Sequence, residues 1–149
     1  MKRLVFMVMV FAIAIIGGEA QAQLRKIPAE VTDAFKYKYR NAESVEWKDK
    51  LTHYLVAFQL KGESYEATFK NDGTWVLSQK VIGRDDLPKS VEEGLEKSKY
   101  ADWEVEDVYQ LIYPDDRSEY RLLVKKSDLN KRDLVFAESG RLLKDKLTL

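Results

Sequence analysis

The chain has 149 residues, of which 25 are basic, 25 are acidic, 45% are hydrophobic and none is cysteine. Balanced, interspersed charges argue against the concentrated basic surface that nucleic acid or an anionic membrane requires. The lack of cysteine excludes disulfides, thiol catalysis and Cys-ligated zinc, so the stability must come from ordinary apolar packing, for which this length is sufficient.

The N-terminal segment, residues 1–22, has the three parts of a secretory signal peptide. A basic start is followed by an apolar run over residues 4–16, and Ala20 and Ala22 are small residues two apart. The run is shorter than the roughly 20 apolar residues that span a bilayer, so we predict cleavage after Ala22. Cleavage would remove two basic residues and one acidic residue, so the mature chain would be nearly neutral, with 23 basic and 24 acidic residues. The sequence therefore predicts an exported protein, periplasmic or extracellular, with no membrane span after signal removal.

Two of the three prolines begin matching segments sixty positions apart. Proline fits the first turn of a helix, where its missing N–H has no intrahelical partner. Apolar residues at helical spacing follow both prolines, Pro28 and Pro88. They are Val31, Ala34, Phe35 and Tyr39 in the first segment and Val91 and Leu95 in the second. Gly94 weakens the second helix by about 1 kcal/mol relative to alanine.

After each helix the hydrophobic period changes from 3.6 to 2, which predicts strands. The predicted strands lie near residues 45–47, 51–60, 64–70 and 74–82, and then near residues 103–113, 119–126, 132–138 and 141–147. Phe69 then corresponds to Phe136, and the turn residue Gly73 to Gly140. Because this offset exceeds that of the helices by seven residues, we expect a longer loop near residues 127–132.

These elements predict an α+β fold made of two tandem repeats, residues 27–83 and 87–147. Each repeat is a helix followed by antiparallel strands, and together they form one sheet with helices packed on one face. A unit of about 60 residues makes a marginal core alone. We therefore predict a single domain over residues 23–149 rather than two independent domains.

Three motifs of the first half are typical of a known family. They are Ile27-Pro28-x-x-Val31-x-x-Ala34-Phe35-x-x-x-Tyr39-x-x-Ala42, Val45-x-Trp47, and Tyr65-x-Ala67-x-Phe69-x-x-Asp72-Gly73-x-Trp75. On these residues the chain resembles the PepSY-like, β-lactamase-inhibitor-protein-like family of exported bacterial domains, over residues 27–147. The resemblance implies two tandem units sharing one sheet, with the helices on one side. It implies no inhibitory residue, since the motifs are structural, and Arg40-Asn41 replaces the family's usual proline after Tyr39.

The sequence offers no catalytic or metal-binding constellation, and we predict no cofactor. His53 is the single histidine, with no cysteine to complete a ligand set. No serine lies in a G-x-S-x-G elbow. Asp85-Asp86 precedes a helix, where negative charge is favoured, and Asp115-Asp116 follows Pro114 in a turn composition.

Strand alternation leaves one face of the sheet away from the helices, with Leu55, Leu123, Tyr109 and Tyr113 as candidate binding residues. The strand near residues 103–113 is apolar on both sides, which a central strand buried on both faces explains equally well. The leading interpretation is a non-enzymatic extracytoplasmic binding or inhibitor-like module for a protein or cell-surface ligand. The alternatives are a carboxylate-dependent hydrolase and a self-associating structural or accessory domain.

Overall fold

A computed structural model describes residues 26–148, so the predicted signal peptide, residues 1–22, lies outside the described part of the chain. The described residues form two α-helices, one short 3-10 helix and eight strands. In chain order these are α1 (Ala29–Lys38), β1 (Glu43–Asp49), β2 (His53–Leu60), β3 (Glu63–Lys70), β4 (Trp75–Val81), the 3-10 helix (Arg84–Asp86), α2 (Lys89–Glu96), β5 (Glu104–Ile112), β6 (Ser118–Ser127), β7 (Asn130–Ala137) and β8 (Leu142–Thr148).

The eight strands form one sheet in sequence order, and every neighbouring pair is antiparallel. The β3–β4 hairpin turns at Gly73, with φ of 84°, and the β7–β8 hairpin turns at Gly140, with φ of 83°. Both values lie in the left-handed region that glycine adopts without steric cost. The predicted α+β class with one antiparallel sheet is confirmed.

The prediction of a longer loop near residues 127–132 is wrong. β6 ends at Ser127 and β7 begins at Asn130, so only Asp128 and Leu129 connect them. The second half instead has longer strands, since β5 and β6 contain 9 and 10 residues where β1 and β2 contain 7 and 8. Extra residues in a paired strand satisfy their backbone hydrogen bonds within the ladder, which an irregular loop does not provide.

Each helix begins directly after its proline. The carbonyl of Pro28 accepts hydrogen bonds from the N–H groups of Val31 (3.1 Å) and Thr32 (3.2 Å), and that of Pro88 serves Val91 and Glu92 in the same way. The prolines thus lie at the N-cap positions, one residue before the predicted first turn.

Both helices lie on the same side of the sheet. Directly paired residues of neighbouring strands point to the same face of the sheet. Ala67 pairs with Ser78, and Ser78 pairs with Ile112, so these three residues share one face. Ala67 packs under α1, and Val108, which shares the face of Ile112 by strand alternation, packs under α2. The opposite face of the sheet carries no helix of the described chain.

The core consists of two hydrophobic clusters, one beneath each helix. The first contains Val31, Phe35, Tyr54, Val56, Phe58, Ala67 and Phe69, and the second contains Leu87, Val91, Leu95, Tyr100, Val108, Tyr120, Leu122, Val124, Leu134 and Phe136. Between them, the helix side of β4 and β5 is polar where Lys80 pairs with Gln110, and Lys80 forms a 2.9 Å salt bridge to Glu63. The sheet is therefore continuous across the seam between β4 and β5, whereas the apolar core is divided there.

Tertiary packing, and not helix propensity, explains why a glycine stands at position 94. A β-carbon built at Gly94 would lie 2.1 Å from the carbonyl oxygen of Gly140, and one built at Gly140 would lie 1.9 Å from that of Ser90. α2 therefore packs directly on the β7–β8 turn, backbone against backbone.

Candidate binding surface

The open face is defined here as the side of the sheet away from the helices. Its central residues follow from the strand register and alternation. They are Leu55, Glu66, Thr68, Leu77, Gln79, Val81, Tyr109, Leu111, Tyr113, Glu119, Arg121, Leu123, Asp133, Val135, Lys144 and Lys146. This face mixes apolar, aromatic and charged side chains, as the alternation predicts.

Arg121 lies at the centre of the open face, where its guanidinium group is held on three sides. Nε and Nη2 donate to the two carboxylate oxygens of Asp133 at 2.8 and 2.7 Å, and Nη1 donates to the side-chain oxygen of Gln79 at 2.9 Å. The ring centroid of Tyr109 is 5.6 Å from Cζ. The hydrogen bonds to Asp133 raise the pKa of Arg121 further above its usual value. These contacts hold the guanidinium group and the Tyr109 ring in fixed positions. A partner that binds them would therefore restrict little further side-chain motion.

Tyr113 belongs to a second polar cluster at the end of β5. Its hydroxyl donates to Glu119 at 2.8 Å, and Arg117 donates to the other oxygen of that carboxylate at 2.8 Å. Cζ of Arg117 is 4.3 Å from the Tyr113 ring centroid. Burial and then the hydrogen bond to Glu119 raise the pKa of Tyr113 to about 12. The buried Glu119 carboxylate is thus matched by one cation and one hydroxyl.

The structure places all four predicted binding residues on the open face, each half-buried. Tyr109 pairs with Val81 and Arg121, and Leu123 with Asp107 and Asp133. Leu55 lies three strands from Tyr113, a separation of roughly 14 Å at the usual strand spacing. The four residues therefore share a surface but do not converge on a single point.

Sequence reasoning did not predict the depression that joins these positions. A shallow depression of about 210 Å³ on the open face is lined by Leu77, Gln79, Leu111, Tyr113, Arg121, Asp133, Val135, Lys144 and Lys146. Leu111 and Val135 are buried although they face away from the helices. Alternation alone signals their orientation, but the strand register is needed to bring them beside Arg121.

The positions considered for catalysis have structural partners. A larger depression, about 700 Å³, includes Glu119 and Glu138 in its wall, but Glu138 is exposed and Glu119 is engaged as described. Asp86 accepts a hydrogen bond from the backbone N–H of Gly83 at 3.1 Å. Nδ1 of His53 lies 3.0 Å from the hydroxyl of Thr52.

Two classes of site are missing from residues 26–148. No group of three or more His, Cys, Asp or Glu side chains in this range could hold a metal ion. No helix there is long and apolar enough to cross a membrane.

The described residues thus define a class of α+β protein with one eight-stranded antiparallel sheet, helices on one face of it and the other face uncovered. The family model described as "Putative beta-lactamase-inhibitor-like, PepSY-like" matches residues 52–144. This chain belongs to that PepSY-like family, which confirms the resemblance seen in the sequence motifs. A search of curated proteins found no match.

Solved structures share the fold over most of their length. A BLIP-like protein from Bacteroides fragilis is 30% identical, with a TM-score of 0.73, and the match covers 83% of this chain and 87% of that one. A DUF2874 family protein from Bacteroides ovatus is 25% identical, with a TM-score of 0.75 and coverages of 82% and 88%. A putative periplasmic protein from Bacteroides eggerthii is 23% identical, with a TM-score of 0.75 and coverages of 82% and 89%.

Proposed function

We propose that this protein is a non-enzymatic, extracytoplasmic binding or inhibitor-like module that presents the open face of its sheet to a protein ligand. The observation that carries the proposal is the composition of that face. Fixed charged groups at Arg121 and Asp133 alternate with half-buried tyrosines and leucines, and no described helix covers them. Protein interfaces of this kind have a few aromatic anchors within a polar surround.

The ordering of the open face supports binding. Tyr109 lies against Arg121, and Tyr113 is hydrogen-bonded to Glu119, so neither ring is free to adopt many rotamers. A partner that contacts them would lose little additional side-chain entropy, which is the main cost of ordering an interface. The lysines at the β8 side, Lys144 and Lys146, have no salt bridge among the described residues and favour a partner with acidic groups there.

Export is part of the proposal. The predicted signal peptide over residues 1–22 is the basis for it, and the relative from Bacteroides eggerthii is described as periplasmic. N-terminal sequencing of the protein from its native host should begin within a few residues of Gln23. Recovery of the intact N-terminus in the cytoplasm would contradict export.

The hydrolase alternative is less well supported by the geometry. General acid–base catalysis by two carboxylates needs groups that can exchange protons with substrate. Within the described chain the buried carboxylate of Glu119 is paired with Arg117 and Tyr113, and Asp133 is paired with Arg121. Self-association, the second alternative, would use an edge of the sheet rather than its open face.

We test the open face with variants of its two tyrosines. Immobilised mature protein is used to capture partners from the extracytoplasmic fraction of the native host, with identification by mass spectrometry. Tyr109→Ala and Tyr113→Ala should each reduce recovery of the partner by at least about tenfold, as expected when an aromatic anchor worth more than about 1.4 kcal/mol is lost.

The matched control is Tyr37→Ala, which removes a tyrosine that is 79% exposed on α1 and distant from the open face. It should leave recovery unchanged. Thermal melts of all three variants separate loss of binding from loss of folding. Unchanged melting together with unchanged recovery for both open-face variants would exclude β5 from the interface.

We also infer that the two halves are tandem repeats. In support, Gly73 approaches the carbonyl of Glu30, the second residue after Pro28, as Gly140 approaches that of Ser90, the second after Pro88. The same turn thus meets the same helical turn in both halves. A Gly73→Ala variant should be destabilised like Gly140→Ala; a neutral Gly73→Ala would argue against equivalent packing.

A further inference from the structure

The outer edge of β1 differs from the corresponding edge in the second half. β5, the first strand of the second half, pairs with β4, and Ile82, which follows β4, packs against the second cluster. β1 has no strand on its outer side among the described residues. Val45 there is 39% exposed.

An apolar groove opens beside this edge. It has a volume of about 340 Å³, and Phe35, Tyr39, Val45 and Trp47 are among its lining residues. Edge strands present unpaired backbone N–H and C=O groups, which can pair with another strand unless charge or irregularity prevents it. The outer edge of β5 is thus paired with β4, whereas the outer edge of β1 has no such neighbour among the described residues.

The charges of β1 are arranged symmetrically about Trp47. Trp47 pairs with Val56 and points to the helix side, whereas Glu46 and Lys48 flank it and point to the open face. In an antiparallel pair of identical strands, residues at equal distances from the twofold axis lie opposite each other. A twofold axis at Trp47 therefore sets Glu46 against Lys48 twice.

We propose that β1 pairs with β1 of a second copy of this chain, antiparallel and with the twofold axis at Trp47. Glu46 then faces the partner's Lys48, and Lys48 faces the partner's Glu46. Opposite charges directly across a strand pair stabilise it, and like charges destabilise it. The proposal does not depend on the ligand of the open face, which stays uncovered in such a dimer.

The neighbouring registers are less favourable. A twofold axis normal to the sheet keeps each side chain on its own face, so directly opposed residues must point to the same face and the axis must lie at a residue position. The alternative axes nearest to Trp47 therefore lie at Glu46 and Lys48. The first sets Glu46 against its own copy. The second sets Lys48 against its own copy, and the Lys50 that it would bring towards Glu46 lies beyond the end of β1. Charge therefore selects the register at Trp47.

The other edge of the sheet does not offer the same symmetry. On β8, Lys144 and Lys146 both point to the open face. A twofold axis at Asp145 opposes these lysines twice, and an axis at either lysine opposes it to itself. Joining β8 to β1 of another copy is a head-to-tail contact, which leaves further edges open rather than closing the assembly. Of the two edges of the described sheet, β1 alone has opposite charges within the strand that oppose each other in a twofold pairing.

The regular part of β1 is short. The pairing with β2 is irregular between Glu43 and Glu46, and Ser44 has a positive φ of 51°. The new ladder is therefore centred on residues 46–48, and association should be weak and reversible, as for small interfaces.

Sedimentation equilibrium of the mature chain tests the proposal by charge reversal. The unchanged protein should show a monomer–dimer equilibrium. Glu46→Lys and Lys48→Glu should each raise the dimer dissociation constant by about tenfold or more, because each puts like charges opposite each other twice. The double variant Glu46→Lys/Lys48→Glu exchanges the charges and should return the dissociation constant to within about twofold of the original.

Lys146→Glu, on the β8 edge, is the matched control and should leave the equilibrium unchanged. Thermal melts should show that all the variants are folded, since the reversed side chains are exposed or lie on the open face. A protein that stays monomeric at millimolar concentration overturns the proposal. A double variant that dimerises as weakly as the single variants also overturns it.

Cysteine pairs report the register directly, because the natural sequence has no cysteine. Under mild oxidation, Glu46→Cys/Lys48→Cys should form a disulfide-linked dimer, since directly opposed residues lie within the usual Cα separation of a disulfide. Glu46→Cys alone and Lys48→Cys alone should not cross-link efficiently. Efficient cross-linking by either single variant would place the axis at that residue and contradict the register at Trp47.

Discussion

At the residue scale, helix propensity and tertiary packing predict opposite effects of replacing Gly94. Propensity alone predicts that Gly94→Ala stabilises α2 by about 1 kcal/mol. The carbonyl of Gly140, 2.1 Å from the position of the added methyl group, predicts the opposite, because neither backbone can move without shifting the β7–β8 turn. We expect Gly94→Ala to lower the free energy of unfolding by roughly 1–3 kcal/mol, the usual cost of overpacking.

Urea denaturation measures this change. The control is Glu96→Ala, at an exposed position of the same helix, which should change the free energy of unfolding by less than about 0.5 kcal/mol. A net stabilisation by Gly94→Ala would show that α2 does not rest on this turn.

Tyr113 gives a prediction about alkaline pH. Its pKa in the folded protein is raised to about 12, chiefly by burial and then by the hydrogen bond to Glu119. A tyrosine in the unfolded chain ionises near 10. The neutral form is therefore favoured in the folded state, and this contribution is present below pH 10 and lost as the pH rises from about 10 towards 12.

The unfolding free energy of Tyr113→Phe should fall less steeply over that pH range than that of the unchanged protein. Denaturation at a series of pH values measures the two slopes, and the absorbance of tyrosinate identifies the late-titrating group. Equal slopes would indicate that folding does not raise the pKa of Tyr113.

At the element scale, one buried phenylalanine anchors each of the third and seventh strands. Phe69 and Phe136 are both fully buried, one in each cluster. Phe69→Ala and Phe136→Ala should each cost roughly 3–5 kcal/mol of unfolding free energy, the range for removing a buried aromatic side chain. Tyr37→Ala, at an exposed site, should cost less than about 0.5 kcal/mol. Losses below about 1 kcal/mol at both phenylalanines would contradict the strand faces described here.

The strands were predictable from sequence to the extent that one face is apolar. In β3, Tyr65, Ala67 and Phe69 alternate with polar residues, and all three pack in the first cluster. β5 was ambiguous, because Val108 faces the helices while Leu111 is buried on the open face. Alternation cannot resolve a strand that is covered on both sides.

The candidate surface was predictable only in part, for a reason that lies in the register. Alternation places Arg121 and Leu123 on the open face, as observed. The ion pair between Arg121 and Asp133 depends on pairing β6 with β7 across a two-residue turn, where the sequence pattern predicts a longer loop. An error in loop length shifts the register and so conceals such contacts.

At the scale of the whole molecule, the question is whether two clusters make one cooperative unit. Each half has its own apolar core, but the seam joins β4 and β5 through four register pairs. A core of about 60 residues is marginal alone, and a chain ending near Asp86 would leave β4 as an unpaired edge. We expect the complete protein to melt in one transition and the half ending near Asp86 to be poorly folded.

Calorimetry and NMR of the two proteins test this expectation. Agreement between the calorimetric and van't Hoff enthalpies of the complete protein would indicate a two-state transition. Dispersed signals and a cooperative melt for the isolated half would instead show two independent domains.

The central claim is that the open face, and not the helical side, meets the partner. Site-specific photo-cross-linking tests it most directly, with the photoreactive residue placed at Thr68 or Lys144 on the open face and at the exposed Lys36 or Glu93 on the helices. In the native extracytoplasmic fraction, both open-face positions should cross-link to the same protein, and neither helical position should. Cross-linking of that protein from Lys36 or Glu93, with none from Thr68 and Lys144, would contradict the account.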